Sequence, residues 1–412
     1  MNEIDYIIVG QGIAGSILAY LLRKNGQKVV IFDPNTEGVL TSSKIAAGVI
    51  NPITGRRFVK SWRIDALLPA AKRVYQELET ELSIPIWHDR PILRTLRDIE
   101  EENNFLLRRT YPDYANYCGE TTTTPQVSDA VFAPLAHPFF NKFYAFGETK
   151  NGAQVNVPFL ITHLRDYFIN KQMLINDVFS FDDIDIEQKY VTYKHLKAKK
   201  IIFAEGAAGA ENPYFSWLPF NLDKGELLLV RIPDLNLTTI FKNKISIVPL
   251  YDVGFGISDF GRSTADVGFG ISDFGRSTAD FGFDTSDLED APTPKSQIPN
   301  PTSLYWVGAT NAWTFVDDLP THAQKELILN ELREILNCPF EVIAHQAAVR
   351  PTVRDRRPFI GCHPKLSVLG IFNGFGTKGA SLIPFFAEQF VDSLLTQKPL
   401  GKEVNINRFR FD

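Results

Sequence analysis

The feature that most constrains this chain lies at its start. An apolar run, Ile4-Asp5-Tyr6-Ile7-Ile8-Val9, breaks into Gly10-Gln11-Gly12-Ile13-Ala14-Gly15. A helix-compatible stretch over 16–23 follows, closed by Gly26, and a second apolar run over 28–32 ends in Asp33. Strand, G-x-G-x-x-G, helix, strand and acid in that order make the βαβ unit of a dinucleotide site. Gly10 permits the tight turn, Gly12 lets a pyrophosphate approach the backbone, and Gly15 lets the helix lie close to the sheet. The helix N-terminus offers unpaired N–H groups and a positive dipole to phosphate. Asp33 can accept hydrogen bonds from an adenosine ribose. The motif suits NAD and FAD equally.

With 412 residues the chain can bury a substantial core and form two domains. Its 44% hydrophobic and 22% charged residues are those of an ordinary soluble protein, and a net charge of −5 carries no nucleic-acid footprint. The acidic start, Met1-Asn2-Glu3-Ile4-Asp5, is unlike a signal peptide, and no apolar stretch reaches transmembrane length. Cys118, Cys338 and Cys362 are scattered and odd in number, so a reduced, cytoplasmic setting is expected. The histidines have no metal-ligand spacing, and no metal site is expected.

Residues 41–52, Thr41-Ser42-Ser43-Lys44-Ile45-Ala46-Ala47-Gly48-Val49-Ile50-Asn51-Pro52, are densely small. Such a segment can bring backbone against a large flat ligand, with hydroxyls free to cap a helix or bind phosphate; a plain loop is the alternative. Helical spacing runs over 61–82, 97–109 and 159–168. Arg56 and Arg57 are expected to be a solvated loop pair. Alternating runs cover 174–181 and 190–193. The stretch Ala198-Lys199-Lys200-Ile201-Ile202-Phe203-Ala204 reads as a buried strand that runs into Glu205-Gly206, a return of the chain to the nucleotide sheet. Strands at 226–230, 245–250, 304–307 and 341–350, with a helix over 322–336, point to an antiparallel sheet, because the shortest links cannot make parallel crossovers.

Within that sheet, residues 252–265 recur letter for letter as 266–279, a degenerate third copy starts at Asp280, and a proline-rich stretch spans 291–301. This is expected to be a surface insertion, tolerable because loop-closure cost grows slowly with length. The last region is dense in arginine, with Arg350, Arg354, Arg356 and Arg357, and holds a second strand–glycine–helix junction. The strand covers 368–372, the turn is Asn373-Gly374-Phe375-Gly376-Thr377-Lys378-Gly379, and a helix follows over 382–395. Aimed at a cofactor, that helix would stabilise negative charge there, which suits a reduced flavin better than a neutral dihydronicotinamide.

Taken together, these blocks resemble the D-amino-acid oxidase superfamily of FAD-dependent oxidoreductases, nearest its glycine oxidase and sarcosine oxidase branch. The resemblance covers nearly the whole chain apart from the repeat. It implies an α/β fold with a Rossmann-like FAD-binding domain (1–60, 150–215 and 351–412) and a discontinuous α+β substrate domain with a mostly antiparallel sheet (61–149 and 216–350, with the insertion at 252–303). It further implies FAD contacts from Ile13, Ala14, Asp33, Ser42, Ser43, Ala47, Gly48 and Val49, with Val178 holding the adenine side through its backbone. Gly206 would close its strand beside the cofactor, and Gly376, Thr377, Lys378 and Gly379 would form the turn under the flavin ring.

Arg350 matches the arginine that pairs with a substrate carboxylate, a task suited to a planar fork; a structural salt bridge is its alternative role. Where some members carry a flavin-linking cysteine this chain has Ala347-Ala348, which implies a non-covalent FAD. Tyr305, Asn311 and Trp313 are candidates on the substrate side. The implied activity is oxidation of a small-molecule amine or amino acid by hydride transfer to flavin, with Arg350 and Lys378 at the reacting centre. The alternatives are a dehydrogenase with an acceptor other than oxygen and a non-catalytic flavin-binding protein.

Overall fold

The computed structural model describes residues 2–34, 36, 38–126, 132–136, 139–250 and 304–409. The exact repeat therefore lies outside the described residues.

Two large sheets organise the molecule. In the first, the strands Leu174–Ile175, Val29–Phe32, Asn2–Val9, Leu196–Phe203 and Leu369–Asn373 run parallel, side by side in that order. Short antiparallel strands complete it, among them Phe359–Cys362 paired with Leu369–Asn373. The parallel strands are the apolar runs read from the sequence. Ile7, Ile8, Ile31, Ile201 and Ile202 are fully buried, each stabilising the fold by about 1.5–3 kcal/mol through apolar burial. Val9 lies opposite both Phe32 and Phe203, and Phe203 lies opposite Ile371. Gly10, Asp33, Ala204 and the Asn373 end consequently emerge along one edge, where open parallel sheets bind ligands.

Helix α1 (Ile13–Lys24) starts in the glycine turn and ends at Asn25 and Gly26, whose φ of +76° takes the chain out of the helix. Helix α2 (Ile64–Leu82) and α3 (Ile99–Arg109) match the helical spacings, and Asp98 caps α3 through Glu101 N. Helix α4 (Val157–Asn170) is capped by Asn156 and has proline in its first turn, where no N–H is needed. Helix α5 (His322–Ile335) is capped by Thr321, and α6 (Gly379–Thr396) packs on α1 and α2.

The second sheet has the order Glu341–Arg350, Asp223–Arg231, Leu304–Gly308, Ser246–Pro249, Ile240–Lys242, Ile92–Leu96, Ala145–Thr149 and Cys118–Thr122. It is antiparallel except where Ile240–Lys242 runs parallel to Ile92–Leu96. Its side chains alternate as a pleated sheet requires. Leu228, Val230, Val307, Ile247 and Phe241 pack on α5, while Leu227, Leu229, Trp306, Val248 and Ile240 face the segment holding Ile45, Ala47 and Val49. The antiparallel expectation holds for the strands named from sequence. The pattern did not reveal the 92–96, 118–122, 145–149 and 240–242 strands, which carry Arg94, Thr95, Glu120 and Lys242 among their apolar residues. The run expected over 174–181 is a strand only at Leu174–Ile175, followed by a single 3₁₀ turn at Phe181–Asp183.

Candidate active site

The N-terminal turn is built for close approach. Gly10 has φ +100°, and a Cβ there would sit 2.6 Å from the Ala204 carbonyl oxygen; a Cβ on Gly15 would sit 1.9 Å from the Gly10 oxygen. Gly12 is the N-cap of α1 and offers no side-chain cap of its own. Instead Ile13 N donates to Ser43 Oγ at 3.1 Å, so the 41–52 segment is docked on the helix N-terminus. Ala14 lies half-buried in the first turn. Asp33 closes the turn: its Oδ2 accepts from Gln11 N at 2.8 Å and its Oδ1 accepts from Arg165 Nη1 at 3.0 Å. Arg165, reaching in from α4, was not read from sequence, where it is one more charged residue on an amphipathic helix. Val178 follows the Leu174–Ile175 strand and is 66% exposed.

From this helix N-terminus a cavity of about 380 Å³ runs to the C-terminal turn. Ile13, Ser42 and Ser43 line one end; Ala47, Gly48 and Val49 line the middle; Gly376, Thr377, Gly379 and Ala380 line the other. Gly48 has φ +66°, and a Cβ on it would fall 1.8 Å from the Val155 oxygen. Glycine there lets the segment fold flat against its neighbour strand while the next residues face the cavity. Helix α6 starts without a side-chain cap, its first residues on the cavity wall, so its positive dipole end points at whatever fills the space. Lys378 is not brought to the cavity: its Nζ donates to Ser61 Oγ at 3.3 Å, and burial beside Arg356 and Arg357 holds its pKa below the ordinary lysine value. Gly206, at φ +61°, accepts from Asn373 Nδ2 at 2.9 Å and so ties two strand ends together. Neighbouring Glu205 is a buried carboxyl pushed up to about 7 by burial, with Asn212 donating to it.

The second sheet forms the opposite wall. Arg350 Nη1 donates to Asp223 Oδ2 at 2.7 Å, Asn311 Oδ1 at 3.1 Å and the Thr310 carbonyl at 3.2 Å. Its Nη2 lies over Gly225, where a Cβ would be only 1.8 Å away. Asp223 is 1% exposed, so the ion pair is real and inward. Arg350 therefore makes the salt bridge of its alternative, structural role while also lining the cavity. Asn311 lies beside it on the cavity wall. Tyr305 points to the other face, fully buried, its hydroxyl donating to the Leu235 carbonyl at 2.5 Å and accepting from Leu237 N. Trp313 is 55% exposed and does not line the cavity. Arg357 stacks 3.9 Å over the Trp62 ring, and Arg354, Arg356 and Arg357 likewise stay off the cavity wall. Lining residues missed from sequence include Gly225, Leu227, Lys242, Ser246, Trp306 and Gly308. Lys242 is pushed down to about 8 by burial, with Arg94 adding to the effect.

A phosphate-ready helix N-terminus, a flat glycine-lined gallery and a second helix N-terminus at its far end define the site of a flavin-dinucleotide oxidoreductase. The family profile described as FAD dependent oxidoreductase matches residues 5–393, and the chain belongs to that family. Among solved structures, glycine oxidase from Geobacillus kaustophilus superposes with a TM-score of 0.68 at 20% identity, covering 97% of this chain and 96% of that one. Iminodiacetate oxidase from Chelativorans sp. BNC1 gives 0.66 at 19% identity, covering 97% of each chain. The dithionite-reduced, FAD-bound L-alpha-glycerophosphate oxidase from Mycoplasma pneumoniae gives 0.63 at 14% identity, covering 98% and 99%. The protein is an FAD-dependent oxidoreductase. No helix of the described residues is long and apolar enough to cross a membrane.

Proposed function

We propose that this enzyme oxidises the C–N bond of a primary or secondary amine, an amino acid whose carboxylate is held by Arg350. One observation carries the reading: an arginine on the sheet wall keeps Nη1 on Asp223 and lays its other edge across Gly225, in the cavity that also holds the start of α6. Bound FAD supplies the hydride acceptor. The protein supplies the rest. Asp223 and Asn311 hold the guanidinium in one orientation, so the carboxylate meets a fixed planar fork. The apolar wall of Leu227 and Trp306 keeps water from the reacting carbon. The α6 N-terminus stabilises negative charge arising opposite it. No general base is needed when the amine enters unprotonated, and the released imine hydrolyses in water.

The cofactor contacts proposed are the Gly10–Gly15 turn, Asp33, Ser42 and Ser43, the Ala47–Val49 gallery and the Gly376–Gly379 turn. Val178 would serve the adenine through its backbone, and Gly206 its strand end. The two sheets support a division into an FAD-binding unit (1–60, 150–215, 351–412) and a substrate unit (61–149, 216–350). Relatives named for glycine and iminodiacetate favour amino-acid substrates over glycerophosphate-like ones.

The test is anaerobic titration of the purified holoprotein with amines and amino acids, following flavin absorbance. Bleaching by amino acids is expected. Arg350→Lys, which keeps a cation beside Asp223, should lose about 10- to 100-fold in kcat/KM on carboxylated substrates while sparing simple amines. Equal losses on both would remove the assigned role, and a flavin inert to the whole panel would remove the reaction.

A further inference from the structure

The cavity carries a second concentration of positive charge at the end away from Arg350. Lys242 and Ser246 lie directly opposite one another on adjacent strands, and both line the cavity. On the other side of Lys242, in register, is Arg94. Residues opposite one another across neighbouring strands share a face of the sheet, so the two cations stand side by side. Neither forms an ion pair among the described residues. Lys242 Nζ donates to the Lys244 carbonyl at 3.1 Å; Arg94 donates to the Gly55 carbonyl at 3.3 Å and covers the Phe58 ring at 4.5 Å. Burial holds both below their ordinary pKa values.

Two adjacent cations drawn out of water with no carboxylate bonded to either oppose each other and oppose folding, and a bound anion offsets both costs. At the Arg350 end the counter-charge is built in as Asp223. At the Lys242 end Glu101, itself bound to Arg97, attracts Arg94 only from a distance, and Lys242 has no carboxylate partner among the described residues.

We propose that Lys242 and Ser246, with Arg94 adding its charge from the neighbouring strand behind the cavity wall, form a subsite for a second acidic group of the substrate, a carboxylate or a phosphate, so that the preferred substrates are amino compounds with two acidic groups. The inference rests on the reading that Arg350 takes the first carboxylate. The Arg350 guanidinium lies over Gly225, whose strand is three places from that of Lys242 and which sits two residues off its row, roughly 16 Å at ordinary strand spacing and rise. Lys242 Nζ rests on the Lys244 carbonyl, and swinging off it toward the cavity would shorten that span. An extended diacid bridges the remainder and a compact one does not.

Equilibrium binding to the FAD-loaded full-length protein tests this without turnover. Flavin difference spectra are recorded with the non-reducing diacids malonate, succinate, glutarate, adipate and pimelate, with the monoacids of matching length, and with 4-phosphonobutyrate. One of the longer diacids is expected to bind at least about tenfold more tightly than its monoacid. Lys242→Met should remove that advantage while leaving monoacid affinity and FAD retention unchanged, and Ser246→Ala should reduce it partly. Comparison of glutarate with 4-phosphonobutyrate tells which acidic group the corner prefers. Equal affinity for diacids and monoacids in the wild type, or an unchanged diacid preference in Lys242→Met, overturns the subsite. Loss of FAD by Lys242→Met also overturns it, by assigning the charge to the cofactor. Diacid binding by a flavin that no amine reduces would leave the subsite standing and remove the proposed reaction instead.

Discussion

The two ends of the substrate wall hold positive charge in opposite states. Arg350 is seated on Asp223 with a glycine cleared beneath its guanidinium, whereas Lys242 stands next to Arg94 with backbone carbonyls for company. A buried cation with its own carboxylate is a fixed hydrogen-bonding tool, close to neutral as a pair. A buried cation without one is a standing demand for an anion. On the proposed reading the first arrangement would orient a ligand and the second would select for its charge.

The contrast can be broken at Asp223. Asp223→Ala leaves the Arg350 charge buried and unpaired, with an expected loss of about 3–5 kcal/mol in urea unfolding. A loss no larger than that of an exposed-site control would mean that the pair is not a structural unit. Gly225→Ala probes the same end more gently. Its Cβ would start 1.8 Å from Arg350 Nη2, so the guanidinium must leave its seat; the expected loss is about 1–3 kcal/mol of stability, together with a raised KM for carboxylated substrates. Unchanged KM would detach the arginine's position from carboxylate binding.

At the other end the smallest effect, with the opposite sign, is expected. Lys242→Met should leave stability unchanged or raise it by about 1 kcal/mol, because an unpaired buried charge is removed. The pH dependence sharpens this. Burial, with Arg94 adding to it, pushes Lys242 down to about 8 from its ordinary 10.5. Between those values the unfolded chain keeps a proton that the folded protein has released. Wild-type stability should therefore rise with pH across that window relative to Lys242→Met. Parallel stability–pH curves for the two proteins would show that Lys242 is not the strained group.

Much of the nucleotide end was legible in the chain because its requirements are local. Gly10 needs its positive φ and Gly15 its room against the Gly10 oxygen within a few positions of chain, although the Ala204 oxygen beside Gly10 comes from far along the sequence, and Ile7, Ile8 and Ile201 betray buried parallel strands by their apolar neighbours. The wall was less legible. Lys242 and Lys244 look alike in sequence, yet one lines the cavity and the other is exposed. Their surroundings depend on how Ile240–Lys242 pairs with Ile92–Leu96, a partnership between segments far apart in the chain. Tyr305 and Trp306 show the same one-residue alternation: the candidate chosen from sequence, Tyr305, faces α5, and its neighbour Trp306 lines the cavity. Lys378 carried a motif position, but its side chain turns to Ser61; Val178, expected to act through its backbone, leaves its side chain in solvent.

By itself the sequence determined that both ends of this chain make glycine turns leading into helix N-termini, since backbone sterics and helix dipoles act over a handful of residues. Which charges are paired, and which are left waiting in the cavity, was decided only when strands distant in sequence came into register. The field at a point depends on every neighbour that folding gathers there.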